Sequence, residues 1–277
     1  MISNYRYKTL GYYVATFVAT YALWFAGAYL SFRDDKGLYM LLMLPGLMAP
    51  FLISLYMIYT SGNAHLKTDF VNRLINPRLI RAKMLPFFFL LMPAAVLVSI
   101  AISLPFGGSI EQFRLSEGFS FSMGAVPVLM ILLMAAAFEE LGWRGYAFDS
   151  LQSRYTLFTA SVVFGVLWSL WHFPLLFVKN SYHYEILHQN VWFAVNFYVG
   201  IIPMGVIISW ICVKNRKSVL AAILFHFIIN ISQEALAMTQ VTKCIESGVL
   251  TVVAVAIIML DKELFFSKKH IAFEAKK

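Results

Sequence analysis

The stretch Leu133–Phe148, LMAAAFEELGWRGYAF, sets two adjacent acids, Glu139 and Glu140, and then Arg144, directly after an apolar run. Its meaning depends on the solvent around it. The chain has 277 residues, of which 60% are hydrophobic and 13% charged. A soluble core cannot absorb that much apolar side chain, so this is the profile of a polytopic membrane protein. The apolar runs are continuous and about 20 residues long, as helices crossing the hydrocarbon layer require. A membrane barrel would instead alternate apolar and polar residues over short strands. The expected fold is therefore all-α, a membrane helical bundle of about eight transmembrane helices.

The expected spans are 10–31, 38–60, 85–105, 123–146, 157–178, 190–213, 218–238 and 247–266. Only FRDDKG separates the first two. No internal repeat or low-complexity linker divides the chain. It reads as N-terminal membrane helices (1–122) with a basic interfacial segment (61–84), a core carrying the polar motifs (123–238), and a last helix with a basic tail (239–277).

The net charge of +8 does not indicate nucleic acid, because the basic residues cluster in short loops between apolar runs. With eight spans, 17 of the 22 Lys and Arg fall on the side of the termini, leaving Arg33, Lys36, Arg114, Lys179 and Lys243 on the other. That split predicts a cytoplasmic-membrane protein with both termini in the cytoplasm. Lys67, Arg73, Arg78, Arg81 and Lys83 stand among apolar residues, as in a helix lying on the lipid surface or in a solvated basic loop. Cys212 and Cys244 form no Cys-x-x-Cys and indicate neither a disulfide framework nor a thiolate metal site. The first apolar run is too long for a cleavable signal peptide, and no small-x-small site follows it.

A charge at mid-bilayer costs about 2.5–3.5 kcal/mol on insertion scales. Glu140 and Arg144 are spaced to share a helix face, which offsets part of that cost. Glu139 points about 100° away and is free to face a cavity. Alone, EELGWR fits either a buried ion-pair staple or a chemical site. Two other spans add to it. FGVLWSLWHFPLLF (164–177) carries His172, and AAILFHFIINIS (221–232) carries His226 and Asn230 on one face. Buried polar groups turn toward one another or toward internal water. One polar cavity lined by Glu139, Glu140, Arg144, His172, His226 and Asn230 is expected. A carboxylate and a histidine there could activate water, and a second histidine and an amide could donate to an oxyanion. That inventory suits amide hydrolysis. No His-Glu-x-x-His is present.

Glu139-Glu140-x-x-x-Arg144, Trp168-x-x-x-His172 and His226-x-x-x-Asn230, in that order on separate apolar segments, resemble the CPBP intramembrane protease family. That family includes the type II CAAX prenyl proteases and bacterial relatives linked to bacteriocin processing and self-immunity. The resemblance covers roughly residues 123–235. It implies that Glu139 and His172 activate water, Glu140 and Arg144 support them, and His226 and Asn230 form the oxyanion site. Trp168 stands where the family usually has Phe or another aromatic. The resemblance implies a glutamate-type mechanism with no obligatory cofactor. Zn²⁺ held by His172 and His226 with a carboxylate is the alternative. Expected partners are membrane lipids and a peptide or lipidated-protein substrate, whether a prenylated chain end, a leader peptide or a membrane-anchored protein. A transporter or proton relay, since intramembrane Glu and His also mark ion paths, and a non-catalytic scaffold are the competing readings.

Counted from the expected span ends, His172 lies about 22 Å into its span and Glu139 only about 10–12 Å. For the two to meet, the fifth span should enter late, near 160, and tilt, or else the site is deeper. SYHYEILHQN (181–190), with His183 and His188, reads as an extracytoplasmic interface loop and not a metal site.

Overall fold

The apolar runs form helices, as their continuous hydrophobicity requires in a solvent without hydrogen-bond partners. The computed structural model describes residues 5–33, 37–118 and 127–267. Lys36, the start of the expected fourth span and the basic tail from residue 268 lie outside the described residues. In chain order the helices are α1 (Thr9–Ser31), α2 (Met40–Tyr59), α3 (Ala64–Ile75), α4 (Leu85–Ser103), α5 (Val128–Gly142), α6 (Phe148–Gln152), α7 (Leu157–Trp171), α8 (Tyr182–Gln189), α9 (Val191–Lys214), α10 (Val219–Ala235), α11 (Gln240–Leu260) and α12 (Lys262–Phe266). A π-helical turn, Trp143–Ala147, joins α5 to α6 without a break. Among the described residues there is no strand, only an isolated bridge between Leu115 and Leu236.

Six helical segments are long and apolar enough to cross a membrane: Thr9–Ser31, Met40–Tyr59, Ala82–Phe106, Leu157–Phe177, Val191–Lys214 and Gln240–Leu260. Two shorter ones complete the bundle, α5 with 15 residues and α10 with 17. α5 packs between α2 and α10, and α10 also touches α4 and α9. Leu10, Val18, Leu41, Phe89, Leu90 and Val252 point outward and are exposed. A soluble protein would bury them, whereas lipid is their natural contact.

Glycines bring the site-bearing helices together. A Cβ on Gly142 would strike the backbone of Pro50, so α5 lies directly on α2 there. A Cβ on Gly205 would lie 2.8 Å from the Cα of Gly165, which fixes the close crossing of α7 and α9. Pro50 also has no N–H to offer the carbonyl of Gly46 one turn earlier. Thr20 donates to that oxygen at 3.0 Å and itself accepts from Trp171 Nε1 at 2.9 Å. A helix defect in α2 thereby anchors the indole beside His172.

Segment 61–84 is partly a helix. α3 buries Leu66, Phe70 and Arg73 and exposes Val71 and Ile75. Two short 3₁₀ turns follow, Pro77–Leu79 and Ala82–Met84. The last long helix starts earlier than expected, at Gln240 and not 247. Thr239 caps it by accepting from the Thr242 N–H at 3.2 Å. The polar residues that read as loop are accommodated inside it, with Glu246 buried and accepting from Gln233 Nε2 at 2.7 Å.

Candidate active site

Helix α7 begins at Leu157 and not near 160. Thr156 caps α7 at Leu157, and His172 follows its last residue, about 22 Å along the axis. The helix bearing Glu139 ends later than expected instead, because the π turn and α6 carry it to Gln152. The run from Glu139 to Gln152 covers about 20 Å, so the two residues meet at the same depth. Glu139 therefore lies farther from the end of its helix than the expected span ends implied.

Glu140 and Arg144 are fully buried, and Arg144 Nη1 lies 2.9 Å from Glu140 Oε2 and 3.0 Å from Oε1. Arg144 Nη2 donates to Ser209 Oγ at 3.3 Å, and its guanidinium lies 4.1 Å from the centre of the Phe164 ring. Glu140 Oε1 also accepts from His226 Nδ1 at 2.9 Å. The expected pair is thus a triad. One carboxylate balances the arginine and fixes which nitrogen of His226 carries a proton, leaving Nε2 for other work.

Glu139 is buried, and its Oε2 accepts from Trp168 Nε1 at 2.7 Å. The carbonyl of the same Trp168 lies 2.7 Å from His172 Nδ1. A carbonyl only accepts, so His172 Nδ1 donates and Nε2 keeps its lone pair. Trp171 and Phe197 approach the His172 ring edge-on, at 4.9 and 5.7 Å between centroids. The Trp168 ring lies 5.4 Å from that of His226. Asn230 sits one turn beyond His226 against α5, half-buried, with Nδ2 donating to the Leu132 carbonyl at 3.2 Å. Its second amide hydrogen is not used in that bond. Among the described residues, no three His, Cys, Asp or Glu side chains are grouped as a metal site would group them.

A family model for type II CAAX prenyl endopeptidases, Rce1-like, matches residues 121–232. Over 269 residues the chain is 63% identical to the CAAX prenyl protease 2 of Methanococcus maripaludis, covering 97% of this chain and 99% of that protein. This chain belongs to the Rce1-like CAAX prenyl protease family. It is a membrane protease, and of the three readings that the buried charges left open, membership in this family selects the enzyme.

Several residues that shape this Rce1-like site escaped the sequence reading. Arg73, read as one basic residue of an interfacial segment, is buried. It donates to the carbonyls of Arg144 and Gly145 at 3.2 and 3.3 Å, within the π turn that follows the two acids. It also pairs with Asp69 at 2.7 Å and Asp149 at 2.8 Å. The available signal was Asp69, placed one turn before Arg73 on the same helix face. Ser209 and Phe164 gave none, since each is an ordinary residue of an apolar span. The SYHYEILHQN stretch is not a loop but helix α8. His188 is exposed on it, while His183 is buried with its ring stacked on His172, 6.0 Å between centroids and 20° between planes. Burial, with His172 adjacent, holds His183 well below the usual histidine range, so it is a neutral imidazole.

Proposed function

We propose that this protein hydrolyses a peptide bond near the end of a prenylated, membrane-associated chain, using water activated by Glu139 and His172. The observation that carries the reading is the double use of Trp168. Its indole N–H binds Glu139 and its carbonyl binds His172, so one residue aims a carboxylate and a basic nitrogen from two different helices. Water held between the Glu139 carboxylate and His172 Nε2 loses a proton to this pair as its oxygen adds to the scissile carbonyl. The resulting oxyanion accepts from the free N–H of Asn230 and from Nε2–H of His226. To donate from Nε2 as well as Nδ1, His226 must carry both protons, a state favoured by the Glu140 carboxylate that it shares with Arg144. Return of the proton to the leaving nitrogen breaks the C–N bond and releases amine and acid. The prenyl specificity is taken from the name of the Methanococcus relative. The apolar, lipid-facing exterior suits a substrate that arrives anchored in the bilayer.

The test is cleavage of paired prenylated and unprenylated peptides by purified protein in proteoliposomes, before and after exhaustive chelation. Preferential cleavage of the prenylated peptide that survives chelation supports the glutamate-type mechanism. Activity that disappears and returns with Zn²⁺ overturns the role of Glu139 in favour of a metal on His172 and His226.

The distribution of Lys and Arg supports cytoplasmic termini. Glu139 then lies about 20 Å from the cytoplasmic end of its helix, and access from the cytoplasm runs deep between the helices. Labelling of single cysteines placed at Lys179 and at the C-terminus decides the orientation. A C-terminus reached only from outside reverses it.

A further inference from the structure

Helix α8 packs against α9 and the 3₁₀ segment Phe173–Phe177 that continues α7. Ser181 caps it, accepting from Tyr184 N–H at 3.1 Å, and donates to the Leu175 carbonyl at 2.8 Å. Tyr182 OH donates to Gln240 at 3.1 Å. The fold so fixed places His183 face-on to His172 and 4.4 Å from the Phe197 ring, which meets it edge-on. His183 is 6% exposed, and its Nε2 is buried with no hydrogen-bond partner among the described residues. Buried polar atoms are nearly always paired, and one left unpaired destabilises the fold. A phenylalanine would fill the same aromatic contacts without that cost.

A peptide drawn into a membrane-buried site faces the matching problem. Its backbone N–H and C=O groups leave water and need partners. The unpaired nitrogen stands beside the histidine assigned to the reaction. We propose that His183 is a substrate-binding residue, whose Nε2 forms a hydrogen bond to the peptide backbone flanking the scissile bond. This rests on the proteolytic reading above. The contact is made in the bound state and kept in the transition state, so its loss raises KM and leaves kcat nearly unchanged.

The experiment compares wild type with His183→Phe, which keeps the stacking, and with His183→Leu, which is apolar without a ring. Each is measured for kcat and KM on a prenylated peptide and for its thermal midpoint. Peptide binding is measured in Glu139→Ala with and without His183→Phe. Expected are a KM about tenfold higher in His183→Phe, kcat within about twofold, a thermal midpoint equal or higher, and binding about tenfold weaker in the double variant. Unchanged KM and binding show an idle nitrogen and overturn the proposal. A fall in kcat at constant KM does so too, since His183 would then act through His172. Collapse of the thermal midpoint in both variants assigns His183 to the fold and also overturns it. Failure of the proteolytic reading looks different: wild type cleaves no peptide, or Glu139→Ala cleaves as well as wild type.

Discussion

Two charged networks lie about two helical turns apart on the helical run Val128–Gln152, and they meet opposite conditions. In the inner one Glu140, Arg144 and His226 are sealed from solvent, with both members of the ion pair at zero exposure. In the outer one Arg73 and Asp149 are buried, but Lys217 and Asp69 are 42% and 34% exposed. A charge in the outer network that loses its partner can recruit water. In the inner network it cannot, so each ion there depends entirely on the others. The outer network tethers α3 to α6 and to the turn between α9 and α10. The inner one fixes His226 against Glu140, while Glu139 accepts from the Trp168 indole N–H. In the proposed mechanism Glu139 is the acid that reacts, because Glu140 takes up the arginine.

That division of labour predicts opposite phenotypes for adjacent glutamates. Glu139→Ala and His172→Ala each reduce cleavage by about 10²–10⁴-fold, as loss of a general base does, while expression and thermal midpoint stay close to wild type. Glu140→Ala and Arg144→Ala each strand a buried ion and destabilise by about 3–5 kcal/mol, seen as loss of folded protein in membranes before any assay of activity. Cleavage rates normalised to folded protein, set beside fluorescence-detected size exclusion, separate the two classes. A stable, inactive Glu140→Ala would break the comparison, since Glu140 would then be part of the chemistry.

Arg73 gives a smaller, mixed effect because it touches both networks. Arg73→Ala removes the donors to the Arg144 and Gly145 carbonyls and leaves Asp149 to Lys217. The expected loss is about 1.5–3 kcal/mol, the range of hydrogen bonds to a charged group. Arg73→Lys restores charge but not the fork that reaches two carbonyls and two carboxylates, and so recovers only part. Thermal melts of the three proteins in one detergent check this. Equal midpoints for the Lys and Arg proteins would mean that the carbonyl bonds contribute nothing.

The all-helical membrane fold was legible because hydropathy runs record helix and lipid contact together, residue by residue. The candidate site residues stood out in the sequence for a related reason. Buried ions are costly enough in lipid that Glu139, Glu140, Arg144, His172 and His226 stand out, and the structure brings these five into one cluster with Trp168. Asn230 is placed beside it, bonded to α5. Depth was not legible. It depended on helix ends, and the π turn at Trp143–Ala147 leaves no mark in a hydropathy pattern. His183 was read as part of a loop because α8 is short and polar, and its stacking on His172 arises from how α8 packs, which no local spacing encodes. Arg73 was hidden among neighbours of like charge, because a cation count does not tell a buried arginine from a solvated one.

The smallest effect sharpens the contrast through pH. Burial by itself would raise the Asp149 carboxyl, but the charges of Arg73 and Lys217 outweigh it and hold Asp149 below the ordinary carboxylate range. A carboxyl lowered on folding binds its proton more weakly in the native state than in the unfolded one. Its stabilisation is fully present above the unfolded value, about pH 4, and is lost as pH falls through the lower native value. Asp261, accepting from Trp210 at 2.6 Å and Lys214 at 2.9 Å, is lowered as well and adds to the same acid limb. The informative quantity is therefore the difference between wild type and Asp149→Asn. Their thermal midpoints should differ most above pH 5 and converge as the acid limb is descended. Lys217→Met, which removes a half-exposed partner worth about 0–1 kcal/mol, should shift the midpoint only slightly and leave most of the limb intact, because Arg73 remains 2.8 Å from the carboxylate. If Lys217→Met abolishes the limb as fully as Asp149→Asn does, the exposed lysine and not the buried arginine holds Asp149 ionised, and the outer network is a surface ion pair.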